Sequence, residues 1–306
     1  MTDERARLFL PFGLLIAILA VSTASIFIRF AQADGAPSLV IAALRLTIAT
    51  IIISPLALTR HRAELQTLTG RETLLGVLSG IFLAIHFATW ISSLEYTSVA
   101  SSMVFVSTGP LWVALLSPLL LKEHLSGAAI VGLILSFAGG TIVGLSDACR
   151  LDNGIRCPGL ADVIQGRAVW GNFLALAGAW AVTGYLIIGR KLRGKISLTP
   201  YLLVVYGFAA AALLIMMFAA GYSPLGYPSI AYIWILLIAV IPQLIGHSTY
   251  NWALRYVPAT FVAIITLIEP ISSAILAFFV LRESPTSEVI FGGCLILAGV
   301  YLVSRR

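Results

Sequence analysis

The sequence predicts an all-α membrane protein, ten transmembrane helices arranged as two inverted five-helix repeats, and three observations carry the prediction. The 306 residues are 59% hydrophobic and only 10% charged, with a mean hydropathy of +1.01; soluble domains are about 45–50% apolar and about 25% charged. A soluble core would have to hide nearly every side chain, whereas a bilayer of about 30 Å absorbs about 20 apolar residues per helical crossing. The basic residues are sorted to one side of the predicted spans, and the second half of the chain repeats the first.

The first apolar run opens at Leu8 and continues to Phe30. It is too long for a signal h-region and lacks a small-residue cleavage site, so the span is placed at 9–30. Polar punctuation then delimits 38–58, 73–94, 97–121 and 125–145 in the first half. After a long loop come 168–190, 199–220, 230–254, 257–281 and 286–303. With the N-terminus cytoplasmic, Arg5, Arg7, Arg60, Arg62, Arg71, Lys122, Arg190, Lys191, Arg193, Lys195, Arg255, Arg305 and Arg306 gather inside. Only Arg150, Arg156, Arg167 and Arg282 remain outside, with Arg29 and Arg45 within spans. This positive-inside bias places both termini in the cytoplasm. The net charge of +6 therefore belongs to membrane flanks, and nucleic acid is excluded as a partner.

The long outer loop holds Cys149 and Cys157, a disulfide candidate in a compartment that permits oxidation, with two free thiols as the alternative. Neither they nor Cys294 form a C-x-x-C pair or lie at metal-ligand spacing from a histidine. No metal or cofactor is predicted.

At an offset of 160, residues 94–143 superpose on 254–303 without gaps. Tyr96 meets Tyr256, Pro110 meets Pro270, Glu123 meets Glu283, Gly132 meets Gly292 and Gly139 meets Gly299. At offset 161, Arg29 meets Arg190. The division is 1–147, a loop at 148–167, and 168–306. An odd number of spans per repeat sends the second copy through the membrane in the opposite sense, the topology that supports alternating access around a midplane site.

Each fourth span of a repeat carries a central proline and closes on an acid: Pro110 with Leu121-Lys122-Glu123, and Glu269-Pro270 with Leu281-Arg282-Glu283. With Arg45 inside Ala43-Leu44-Arg45-Leu46, these features resemble the drug/metabolite transporter superfamily with EamA repeats over nearly the whole chain. The extended outer loop is similar to that of the YddG-type aromatic amino acid exporters. The resemblance implies export of amino acids or related metabolites through a central cavity lined by both halves, in a bacterial inner membrane.

Polar groups at bilayer depth cost several kcal/mol unless partnered, so each is a candidate. Arg45 lies about two turns in from Pro37. Its guanidinium can meet a substrate carboxylate, pair with a helix-end carbonyl or snorkel outward, and the shallow depth favours a structural role. His86 and Trp90 share a face with Ser79 and Phe82, and Gln243, His247, Tyr250 and Asn251 form a second stripe. Glu269 precedes the helix-loosening Pro270, suiting either an amino group or proton exchange, or a bond to backbone freed by the proline. Trp90, Trp170, Tyr232, Trp234 and Trp252 fall near span ends and read most simply as interfacial belt residues. Trp112 and Trp180 fall mid-span, one in each half, and suit an apolar or aromatic ligand or helix packing. Gly76/Gly80 and Gly140/Gly144 have the spacing that lets helices approach closely.

The sequence thus predicts a secondary exporter of aromatic or hydrophobic amino acids. His86, Trp90, Trp112, Trp180, His247, Tyr250, Asn251 and Glu269 line the site, with Pro110 and Pro270 as hinges. The partners are a small-molecule substrate, the lipid bilayer and protons as a candidate coupling ion. Export of other drugs or metabolites is the alternative. A channel or an intramembrane enzyme ranks lower. Gly246-His247-Ser248-Thr249-Tyr250 lacks the last glycine of a nucleophile elbow. No H-E-x-x-H occurs. Arg190 and Lys191 replace the Lys and Ser/Thr of a P-loop, and no ring-forming filter sequence is present.

Overall fold

A computed structural model describes residues 3–109, 111–112, 127–148, 166–257, 262, 265–266 and 268–304. The described residues are helical throughout their ordered elements. Six helices are long and apolar enough to cross a bilayer: Phe9–Ala33, Ser38–Arg60, Gly70–Ser93, Arg167–Arg193, Leu198–Ala219 and Ser229–Ala253. Three shorter apolar helices, Ile130–Val143, Ile268–Leu281 and Ser287–Leu302, lie within predicted spans. The burial pattern is that of a bundle in lipid. Phe9, Leu15, Ile52, Phe137, Ile215 and Phe279 point outward, a placement that in water would create an unusually large apolar surface.

The first span is two helices, α1 (Asp3–Ser22) and α2 (Ala24–Ala33). They meet at Thr23, whose hydroxyl bonds back to the Ala20 carbonyl at 2.7 Å. Gly35, at φ +86°, makes the turn that no residue with a Cβ adopts easily. Pro37 then precedes α3 (Ser38–Arg60), where its fixed φ suits a helix start. A short α4 (Arg62–Gln66) leads to α5 (Gly70–Ser93). Thr69 and Glu72 close a capping box there, satisfying two backbone donors at once. Next come α6 (Val99–Val106), α7 (Gly127–Ala148), α8 (Arg167–Arg193) and α9 (Leu198–Ala219).

The predicted span 230–254 is continuous but not uniformly α-helical. It runs as α10 (Ser229–Ile238), a π-helical stretch at Ala239–His247, and α11 (Ser248–Ala253). Pro242 lies inside that stretch; its missing N–H and its ring do not fit a regular α ladder, and widening to a π-helix is one way to accommodate them. The last elements are α12 (Ile268–Leu276), a π-helical turn at Ala277–Leu281, and α13 (Ser287–Ser304).

Repeat-related helices meet in the structure. In the α7–α13 crossing, Gly139 lies against the Gly292 carbonyl, and Gly299 lies against the Gly132 carbonyl. The pairs 139/292 and 132/299 run in opposite order, so these helices are antiparallel. Ser136 also donates to the Ile296 carbonyl, 160 positions away. The sequence places the close approach at Gly140/Gly144; the structure moves it one position, to Gly139. A second equivalence appears on α5 and α11, where Gln32 donates to the Ile91 carbonyl at 3.0 Å and Arg193 to the Asn251 carbonyl at 3.1 Å. Helix α8 lies antiparallel along α5, with Gly171 at Tyr96, Gly178 at Trp90 and Gly184 at Phe82. Helix α9 runs parallel to α5, with Gly76 at Val204 and Gly80 at Phe208. The largest apolar cluster is where α2, α3, α5, α8, α9 and α10 converge.

Outside the spans, α4 holds the start of α9. The Ser197 backbone N–H donates to Glu64 Oε1 at 2.6 Å, and its hydroxyl donates to Oε2. Partial burial pushes the Glu64 carboxyl up, but the bonds from Ser197 and the adjacent His61 outweigh it and hold the group below the ordinary carboxylate range. A depressed folded-state value means that the stabilisation is complete above the ordinary carboxylate value and disappears as pH falls through the lower, folded one. Glu64→Gln should therefore destabilise the folded protein at neutral pH by about 1 kcal/mol or less, read as a lower midpoint of thermal unfolding in detergent. The difference from wild type should vanish in acid. A pH-independent difference would show that Glu64 acts through packing alone.

Candidate functional site

Arg45 is the centre of the polar interior. It is fully covered, at 0% exposure. Its Nε donates to Gln243 Oε1 at 2.8 Å, and its guanidinium lies over the Phe87 ring, 3.9 Å from the centroid. A snorkelling arginine would leave its head group in water; this one is buried, with Phe87 of α5 and Gln243 of the π-helical stretch against it. The snorkelling alternative is thus corrected. Arg45 does not reach outward, and its neighbours are candidate site residues.

Phe87 joins the two predicted stripes. The His86 and Trp90 rings stack on α5 at 5.9 Å and 12°. His86 Nδ1 lies 2.9 Å from the Gly178 carbonyl. A carbonyl only accepts, so Nδ1 carries the proton, and a neutral ring leaves Nε2 as an acceptor. His247 meets Phe87 edge-on at 5.5 Å and Tyr250 at 6.4 Å. The Tyr250 hydroxyl donates to Glu269 Oε1 at 2.6 Å. Asn251 donates to the His247 carbonyl at 2.8 Å and faces the Tyr185 hydroxyl. A continuous chain of contacts therefore runs from Trp90 through His86, Phe87, His247 and Tyr250 to Glu269, with Arg45 beside its middle. It is built by α3, α5, the π-helical stretch, α11 and α12, from both halves.

Trp112 and Trp180 form a second aromatic group. They meet edge-to-face at 5.2 Å, and Trp112 Nε1 donates to Thr108 Oγ1 at 3.1 Å. Trp180 is 41% exposed and continues through Phe173 to Trp170. The structure pairs the two tryptophans, as their mid-span positions suggest, but their ring contacts run along α8 rather than to His86. Trp90 is 4% exposed and is no belt residue. Pro270 is buried in the first turn of α12. Pro110, Cys149 and Cys157 lie outside the described residues.

The widened turns of the π-helix shift His247 relative to a regular helix, which a continuous-helix reading of Gln243, His247 and Asn251 does not anticipate. Arg45 and Gln243 carried a signal as polar residues in apolar runs. Phe87 carried none, because one more apolar residue in a span is unremarked until its neighbours are known.

Comparison with known proteins places these features in a wider group. The profile of the EamA-like transporter family matches residues 9–145 and again 169–305. Two relatives from Archaeoglobus fulgidus, each described as an uncharacterized transporter, are similar to this chain. One is 25% identical, covering 75% of this chain and 74% of its own length; the other is 22% identical over 96% of both. The uncharacterized transporter YetK of Bacillus subtilis is 21% identical over 94% of this chain and 84% of its own. A solved structure, the crystal structure of a protein 19% identical in sequence, superposes with a TM-score of 0.62 and covers 95% of this chain and 94% of that one. That likeness is one of fold.

Proposed function

We propose, since the chain belongs to the EamA-like transporter family, that it is a secondary exporter of amino acids with aromatic or other apolar side chains. In this reading ten helices cross a bacterial inner membrane as two inverted repeats, with both termini in the cytoplasm. The two halves alternate between inward-open and outward-open arrangements. Pro110 and Pro270 are the hinges, and the loop cysteines Cys149 and Cys157 pin the outer loop.

The observation that carries the proposal is the cluster shared between the halves. Arg45, His86, Phe87, Trp90, His247, Tyr250 and Glu269 come from elements distant in sequence and meet where α3, α5 and the π-helical stretch converge. Aromatic walls with a few fixed polar groups suit an apolar side chain on a polar head. The antiparallel α7–α13 crossing supports the inverted threading, the arrangement in which repeats rock around a midplane site.

The test is counterflow of labelled amino acids in proteoliposomes, with and without a pH gradient. Transport of phenylalanine or tryptophan supports the proposal; no counterflow for any amino acid ends it, and a conductance independent of substrate replaces it with a channel. Within the same assay His86→Ala should lower uptake about tenfold, the equivalent of about 1.4 kcal/mol, at unchanged yield of folded protein. Trp112→Ala should have a smaller effect, because its ring contacts lie along α8. Unchanged transport in both variants would remove these residues from the site.

A further inference from the structure

The cationic head of Arg45 has unspent donors. Nη1 and Nη2 are both buried and have no hydrogen-bond partner, and the Trp90 indole N–H shares that condition. The ion pairs among the described residues lie elsewhere, at Arg29–Glu283, His61–Glu64 and Lys195–Glu72. Glu269, the acid nearest in the chain of contacts, is bonded by Tyr250. A buried cation without a counter-ion costs several kcal/mol, and unmade hydrogen bonds add to that.

Another buried arginine in the same fold provides the contrast. Arg193, 2% exposed, donates from Nε to the Asn251 carbonyl and from Nη1 to the Ile196 carbonyl. That is an arginine holding helix ends together. Arg45 uses only Nε, to fix its orientation through Gln243, and lies on the Phe87 face. The paired ends of its fork are left over.

We infer that Arg45 is the anchor of a carboxylate-binding site, and that the compounds this protein carries are organic acids held by Nη1 and Nη2. The inference deepens the exporter reading and rests on it for access, since the guanidinium is covered in this arrangement and a ligand reaches it when the halves part. A guanidinium fork matches a carboxylate in two parallel bonds. One cation on the face of Phe87, with the His86 and Trp90 rings next in the same aromatic cluster, suits a monoanion with an apolar body, whereas a phosphate dianion calls for further cationic donors. The Trp90 N–H adds a donor to the same cluster.

The experiment is thermal unfolding of the full chain in detergent with L-phenylalanine, phenylacetate, L-phenylalaninamide, phenethylamine or inorganic phosphate. Phenylalanine and phenylacetate should raise Tm by about 2–4 °C at saturation. The amide and the amine should need at least tenfold higher concentration for any shift. Arg45→Gln should abolish the response, and Arg45→Lys should keep a weaker one. An amine response equal to that of the acid, a response to phosphate alone, no response to either carboxylate, or an undiminished response in Arg45→Gln would each overturn the inference. The wild-type ligand series decides the matter even if Arg45→Gln does not fold. Counterflow separates the two readings. Equal transport of phenylalanine and phenethylamine keeps the exporter and removes the anchor. Stabilisation by phenylacetate without amino acid counterflow does the reverse.

Discussion

Valine in place of Gly139 is expected to cost the folded protein about 3 kcal/mol or more, the largest loss among the substitutions considered. A Cβ at this position would stand 2.9 Å from Ile296 Cγ1 and 3.0 Å from its backbone nitrogen, with the Gly292 carbonyl closer still. Two of those obstacles are backbone, so no rotamer change relieves them; α7 and α13 must separate. In a bilayer, burial from water gives little drive for helices to associate, so close packing carries more of their association. Separation forfeits that packing along the crossing, including the Ser136–Ile296 bond. The repeat predicts the same penalty for Gly299→Val, whose Cβ would meet the Gly132 carbonyl and Ser136. Gly127→Ala on α7 is the control, because nothing lies within 4 Å of its Cβ position and alanine is the better helix former. Unfolding in detergent should rank Gly139→Val far below Gly127→Ala, and equal midpoints would show that the crossing is looser than described.

The same crossing shows what the sequence makes legible. Self-similarity pairs Gly132 with Gly292 and Gly139 with Gly299, and the structure places all four in one antiparallel contact. A duplicated, inverted unit must meet itself near its pseudo-two-fold axis, so the repeat foretells the meeting. Apolar run length likewise locates the six long helices among the described residues, since lipid demands about 20 residues per crossing. Local backbone geometry inside a span is less visible. Pro242 is plain in the sequence, but whether a proline kinks a helix or widens it into a π-turn depends on neighbours.

Side-chain partnership is the least legible. Arg45 looked shallow because depth was counted along its own helix, yet it is buried, against Phe87 on α5 and Gln243, 198 residues away. Trp180 is central by the same count and 41% exposed, and mid-span position says nothing about which side of a helix a residue occupies. Glu283 was visible as a match to Glu123 and as the acid that closes its span. Its partners are on the other half of the chain.

Those partners make Glu283 the second position where a single change should matter. Its Oε1 accepts from Arg29 Nη2 at 2.9 Å, and its Oε2 accepts from the Val99 backbone N–H at 2.9 Å, at the start of α6. Arg29 Nη2 also reaches the Thr97 carbonyl at 3.0 Å. One carboxylate thus neutralises the cation at the end of the first span and caps a helix of the first half from the second. Glu283→Ala removes both functions, and about 2 kcal/mol of stability should go with it, since the pair is partly covered and the cap adds to it. Glu283→Gln keeps an acceptor for Val99 and should lose about half as much. Arg29→Ala combined with Glu283→Ala should cost less than the sum of the single changes by about 1 kcal/mol. A coupling near zero would reduce the ion pair to a bystander and leave only the cap. Any rearrangement that parts residues 97–99 from Glu283 must break the Val99 bond at Oε2 and one of the two bonds that Arg29 Nη2 makes, to Thr97 or to Glu283, so this staple also opposes opening on its side of the bundle. A cysteine at position 98 should consequently react faster with a water-soluble maleimide in Glu283→Ala than in the parent, and equal rates would confine the staple to stability.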